Sequence, residues 1–211
     1  MSVPKVIQAI PKNVVREVIV VDNNSSDSTK EVAQVAGATV LTETFQGYGA
    51  ACLKGIAHIN SKEEKPDVVA FVDADFSDFP EQLVDLLAPI IDRGVDMVIG
   101  SRALGKRQNG SMMPQQIFGN WIATRMMRAL YRVNFTDLGP FRAIQLNTLN
   151  ELEMQDRTYG WTVEMQVKIA KANKTFEEVP VDYKKRIGTS KIAGTVKGTI
   201  LAGYKIITTI L

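Results

Sequence analysis

The 211-residue chain has one cysteine and one histidine, Cys52 and His58, and no long apolar run. A lone cysteine rules out an internal disulfide and any zinc site built from cysteine pairs. A lone histidine removes histidine-rich metal centres and most Ser-His or Cys-His triads. Both lie in a helical pattern where packing is the default role. Charge of one sign is also missing: 25 basic against 23 acidic residues leave a net +2, so nothing suggests a nucleic-acid partner. No stretch reaches the roughly 18 apolar residues of a membrane span, and the N-terminus has no secretory pattern. These absences imply a cytoplasmic, reducing setting in which any metal is held by carboxylates.

What is present is an alternation of short β-branched runs and longer helical patterns, the sign of βαβ units in one α/β domain of mostly parallel, Rossmann-like sheet. Strands are expected over 16–22, 38–43, 68–73, 96–100, 141–146 and 176–183. Helices are expected over 29–36, 48–60, 80–92, 115–131 and 160–172, with a last helix beyond residue 191. The loop 105–113 has the composition of a lid. In the last helix Ile192, Val196, Ile200, Ile207 and Leu211 fall near one face, which fits either a packed helix or one lying on a membrane surface.

The buried run VVAFV ends in Asp73-Ala74-Asp75, two carboxylates at the C-terminal edge of the sheet, where open α/β folds bind ligands. Like charges so close in a partly desolvated place are costly unless water or a cation lies between them. A donor set of oxygens alone suits Mg²⁺ or Mn²⁺, completed by phosphate oxygens. Asp22 ends the first strand and is placed to accept from a ribose or a base, with Asn24 beside it. Gly47-Tyr48-Gly49 opens a helix, but Cys52 stands where a dinucleotide fingerprint needs its third glycine.

Taken in order, VVDNNSSDST (20–29), FQGYGAACLKG (45–55), FVDADFSDFP (71–80), IGSR (99–102), DLGPFRAI (137–144), YGWTVEMQ (159–166) and EVPVDYKKRIGTSKIAGT (178–195) resemble glycosyltransferase family 2. The similarity is to its dolichyl-phosphate mannose synthase-like branch and covers nearly the whole chain. It implies a GT-A fold and inverting transfer of a hexose from a UDP- or GDP-sugar to a polyprenyl phosphate or related cell-envelope acceptor, a lipid phosphate or a glycan. It also implies Mg²⁺ or Mn²⁺ held by Asp75 and Asp73. Asp22, Asn24, Gly47, Asp73, Ala74, Arg102, Arg186 and Lys191 would contact the nucleotide sugar. Asp137 and Glu164 would be the bases if the acceptor were a hydroxyl, and Arg142, a guanidinium in an apolar run, would need an anionic partner. Residues 1–102 would form the donor half and 103–211 the acceptor half.

Trp161 fits a sugar- or lipid-facing wall or the core, and Trp121 the core. The resemblance implies peripheral contact with the inner face of the cytoplasmic membrane, and self-association is compatible with it. Two departures stand out. Relatives ordinarily open with an apolar strand ending in a Pro-x-x-Asn-Glu-like turn, whereas this chain starts at what resembles the following helix, 3–10, so a sheet position is expected to lack its strand. Relatives also often carry an arginine near 115–117, where this chain has Gln115-Gln116-Ile117. A nucleotidyltransferase is disfavoured because no Gly-rich signature follows the first strand, and a catalytically impaired binding module remains the alternative.

Overall fold

A computed structural model describes residues 1–188 and 196–211. The elements run α1 (Val3–Ala9), β1 (Ile19–Asp22), α2 (Thr29–Val35), β2 (Thr39–Thr42), α3 (Tyr48–Asn60), β3 (Val68–Phe71), a 3₁₀ turn (Pro80–Gln82), α4 (Leu83–Arg93) and β4 (Met97–Ser101). They continue with α5 (Pro114–Tyr131), β5 (Arg142–Gln145), α6 (Leu146–Glu151), α7 (Trp161–Lys171), β6 (Phe176–Pro180) and α8 (Val196–Ile210). Helix α4 shows how pattern becomes structure. Leu83, Leu86, Leu87 and Ile90 recur at helical spacing and are buried, and Gly94 ends the helix with a left-handed φ of 70°.

The strands form two sheets, β1-β2 and β3-β5-β4-β6. β1 runs parallel to β2 and β4 parallel to β6, but β5 lies antiparallel between β3 and β4. The α/β class stands, and the expected mostly parallel sheet is corrected to a mixed one. Strand β5 enters the centre directly ahead of α6, a short helix the sequence pattern did not reveal. It brings a strand from beyond residue 102 between two from before it, so both halves of the chain share one core. The last strand ends at Pro180, short of Tyr183, which makes only an isolated bridge to Arg107.

Among the described residues β1 and β3 each pair along one edge, leaving their other edges free. Ile19 of β1, Ile56 of α3 and Phe71 of β3 nevertheless pack on one core around Met97, Ile99, Trp161 and Met165. The strands thus fall into two hydrogen-bonded groups, β1-β2 and β3-β5-β4-β6, that pack on a shared core. Trp161 is a core residue, edge-on to Phe71 at 6.1 Å between ring centroids. Trp121, expected in the core, is exposed and stacks on Phe118. Helix α8 packs through Ile206 and Ile210, while Ile200, Ile207 and Leu211 of the expected stripe point outward.

Candidate active site

Strand β3 stops at Phe71, and its continuation turns sharply with Phe76 in the left-handed region, φ 62°. This turn gathers carboxylates. Asp73 is half-buried and takes a hydrogen bond from Tyr48 at the start of α3. Burial, then the charge of Asp75, pushes its carboxyl up to about 6, against the pull of Arg102 and Arg186. Ala74 is exposed between the two. Asp75 Oδ1 accepts from the Ser77 amide at 2.8 Å and Oδ2 meets Arg186 at 2.8 Å. The segment 184–187 is strapped onto the turn by Lys184 N–H to Ser77 O and Ile187 N–H to Asp75 O, both 2.9 Å. Lys184 also sits 3.4 Å above the centre of the Phe76 ring.

Asp78 is the third acid of this turn. It is fully enclosed, and neither carboxylate oxygen has a well-formed hydrogen bond; the Asp73 amide lends only a weak one. Burial first, then the neighbouring Asp73, pushes it up to about 8.

Arg102 and Asp137 are brought together from 35 positions apart. Arg102 donates from its amide and Nε to Asp137 Oδ2 at 2.8 and 2.7 Å, and from Nη2 to Oδ1 at 2.7 Å. Asp137 is buried, Arg102 nearly so, and the pair holds the guanidinium well above its ordinary pKa despite burial. The face of Tyr183 lies 5.1 Å away. Glu178 in turn accepts from the amides of Thr136 and Asp137.

The remaining sequence-derived residues fall elsewhere. Arg142 is fully buried, and its donors go to carbonyls: Gly139 and Leu138 on one side and Thr162 at 2.9 Å on the other. The expected anionic partner is corrected to a set of backbone acceptors, and burial pushes the group down to about 10. Glu164 accepts from the amides of Gln155 and Asp156 at 2.8 and 2.7 Å and pairs with Lys168, so it anchors the loop before α7.

That loop explains Gly47 and Gly49. A Cβ on either would lie 2.1 Å from Arg157 O or 1.9 Å from Asp156 O, because the loop presses on the start of α3. Asp22 is buried, accepts from the Ser25 amide at 3.2 Å and has Lys30 at 3.7 Å. Asn24 is exposed with φ 61°. Its neighbour Asn23, not singled out before, bonds Glu43, Phe45 and Gly47 and ties the end of β1 to the loop before α3. Lys191 lies outside the described residues. The expected lid 105–113 is tied down, with Gln108 N–H to Tyr183 O at 2.8 Å and Tyr183 N–H to Lys106 O at 2.9 Å.

Among the described residues no three carboxylate, histidine or cysteine side chains already converge as a metal cage. The arrangement fits a hard cation in another way. Asp73 and Asp75 offer oxygen donors at the sheet edge, and Asp78 behind them is an unbalanced buried acid. A cation held by one or two carboxylates and completed by phosphate and water is the usual manner of Mg²⁺.

The solved structure of glucosyl-3-phosphoglycerate synthase from Mycobacterium tuberculosis, determined with Mn²⁺, UDP and phosphoglyceric acid, matches all of this chain and 72% of its own, with TM-score 0.77 and 19% identity. The fold is thus of GT-A type. A glycosyltransferase of M. tuberculosis whose name marks it as uncharacterized is 33% identical over 202 residues, 95% of this chain and 88% of that protein. An undecaprenyl-phosphate mannosyltransferase of Micrococcus luteus is 32% identical over 203 residues, 90% of this chain and 80% of that protein. A dolichyl-phosphate hexose transferase of Haloferax volcanii is 29% identical over 180 residues, 83% and 73% of the two. The model of glycosyl transferase family 2 matches residues 5–152, and the chain belongs to that family.

Proposed function

We propose that this glycosyltransferase moves a hexose, with inversion, from a UDP- or GDP-sugar to a polyprenyl phosphate at the inner face of the cytoplasmic membrane. The carrying observation is the turn Asp73–Asp78. Three acids crowd the sheet edge with Arg102, Arg186 and Lys184 around them, a mixture that suits a diphosphate with its cation. The names of the Micrococcus and Haloferax relatives support the lipid phosphate as acceptor.

The division of labour follows from charge. Asp75, with Asp73, would hold Mg²⁺ or Mn²⁺, which when bound offsets the charge growing on the departing nucleoside diphosphate. Arg186 pairs with Asp75 in this structure and would swing to a phosphate once the carboxylate has a metal partner. Arg102 is locked to Asp137, so it presents a fixed positive edge while Asp137 holds it in place. A phosphate acceptor is anionic near neutral pH, so attack on the sugar carbon needs no general base. The stretch 1–102 would serve the donor and 103–211 the acceptor. Asp22 and Asn24 would face the nucleoside, and Lys191 a phosphate.

A catalytically impaired nucleotide-binding module is the second reading, favoured by one observation: the Arg186 bridge already neutralises the carboxylate meant for metal. Thermal unfolding with UDP or GDP, with and without Mn²⁺, tests the site. A ligand at a hundred times its Kd adds about 2.7 kcal/mol, roughly 5–10 °C for a chain this size. Asp75→Ala should lose that metal-dependent rise while melting near the parent without ligand. A rise that survives the substitution would remove Asp75 from the metal site.

A further inference from the structure

Helix α3 begins without a cap of its own. Gly47 stands at its N-cap, and among the described residues no side chain caps it. Its first amides point instead at a loop more than a hundred positions away. Gly49 N–H donates to Thr158 O at 3.2 Å, and Ala50 N–H to Arg157 O at 2.9 Å. The amides at a helix start have no partner within the helix and need acceptors from outside. The shape of the loop 155–160 therefore sets where the first turn of α3 lies. That turn carries Tyr48, whose hydroxyl hydrogen-bonds Asp73.

The loop is wound around one carboxylate. Asp156 Oδ1 accepts from the amides of Thr158 at 2.7 Å and Gly160 at 3.1 Å, and Oδ2 pairs with Lys205 of α8 at 2.9 Å. The Asp156 side chain is 5% exposed and that of Lys205 42%, so the lysine reaches in from the surface to a buried anion. Burial opposes that charge, yet Lys205 and the two amides hold the carboxyl below the ordinary carboxylate range. Helix α8 also lies close against this loop: a Cβ on Gly160 would come within 3.0 Å of Thr209 Oγ1.

A chain of contacts thus joins the last helix to the carboxylate at the sheet edge. It runs from Lys205 to Asp156, through the carbonyls of 157 and 158 to α3, and from Tyr48 to Asp73. A hydrogen-bonded partner behind a metal ligand fixes the ligand's direction and tunes its basicity. We infer that Lys205 and Asp156 are positioning residues for Asp73, acting through the first turn of α3 and the Tyr48 hydroxyl. The link to α3 stands on these contacts alone, whereas its effect on a cation rests on the proposal that Asp73 and Asp75 hold one.

Amide hydrogen exchange of the metal-free chain reads the link to α3. Lys205→Met should speed exchange at Gly49 and Ala50 about tenfold, and Lys205→Arg should restore a rate near the parent's. Arg93→Met, which removes an ion pair between α4 and β6, should leave those two amides unchanged. Mn²⁺ affinity, read from the paramagnetic resonance of the free ion with UDP or GDP present, tests the link to the carboxylate. Tyr48→Phe should weaken it about tenfold and Lys205→Met at least about threefold. The double variant Lys205→Met/Tyr48→Phe should bind no more weakly than Tyr48→Phe, because both changes act through one hydroxyl. Exchange unchanged in Lys205→Met, or raised as much in Arg93→Met, would overturn the link to α3. Losses of affinity that add in the double variant would overturn the route through Tyr48. A parent with no affinity for Mn²⁺ would refute the metal reading, and the exchange rates would still decide the link.

Discussion

Replacing Asp137 by Asn separates a structural carboxylate from a catalytic base. Both oxygens of Asp137 are taken by Arg102, through three bonds of 2.7–2.8 Å in a buried place. Asn has one acceptor oxygen, so in either orientation it loses part of the fork and turns an NH₂ toward guanidinium donors. It also strands a buried cation. Breaking one side of such a pair costs about 3–5 kcal/mol, which for a chain of this length lowers the melting temperature by roughly 6–20 °C. Differential scanning calorimetry reads this directly. The double variant Arg102→Met/Asp137→Leu should recover much of the loss, because an apolar pair of similar bulk leaves no stranded charge. Transfer should fall with the fold in Asp137→Asn. A variant that melts within about 2 °C of the parent and yet has lost transfer would refute this assignment and make Asp137 a base. A double variant less stable than the single one would refute the pairing energetics.

Arg142→Met should destabilise by at least about 1–3 kcal/mol, since several buried carbonyls lose their donor; a normal melting curve with weakened donor or acceptor binding would instead give Arg142 a ligand. Gly49→Ala places a methyl 1.9 Å from Asp156 O, so the loop before α7 must move, at a cost of about 1–3 kcal/mol, visible as faster proteolysis at Arg157. In metal-free protein Asp78 keeps its proton up to about 8, against 3.8 for the ordinary carboxyl, and Asp73 up to about 6. The folded state then binds more protons than the unfolded one, so chelated protein should lose stability as pH rises from about 4 to about 8. Mn²⁺ should flatten that slope at its upper end, and a chelated protein most stable at pH 8 would contradict it.

Much of this was legible locally. The run VVAFV before Asp73 marked β3 and the carboxylate turn, and the leucine spacing of α4 marked its buried face, because both depend on neighbours in sequence. The place of β5 was not legible: an apolar strand looks the same in either direction, and only pairing with β3 and β4 decides. Arg102 was noticed as a nucleotide-sugar contact and Asp137 as a candidate base, but their mutual bond spans 35 positions and leaves no periodic trace. Gly47 was expected to contact the nucleotide sugar, whereas the backbone that closes on it and on Gly49 is that of 156–158. Arg142 was expected to seek an anion, whereas the turn at Gly139 and the start of α7 offered carbonyls. Trp121 resembled core by its type, and its exposure follows from α5 burying Ala123 and Met127 instead.

The central proposal is tested most directly by incubating the purified chain with labelled UDP-glucose or GDP-mannose, undecaprenyl phosphate in anionic vesicles, and Mn²⁺. Label should pass into the organic phase as a prenyl-phosphate hexose with one of the two donors, stop on chelation, and be absent with Asp75→Ala. Transfer that persists in chelator, or none with either donor although the chain binds nucleotide and vesicles, would contradict it.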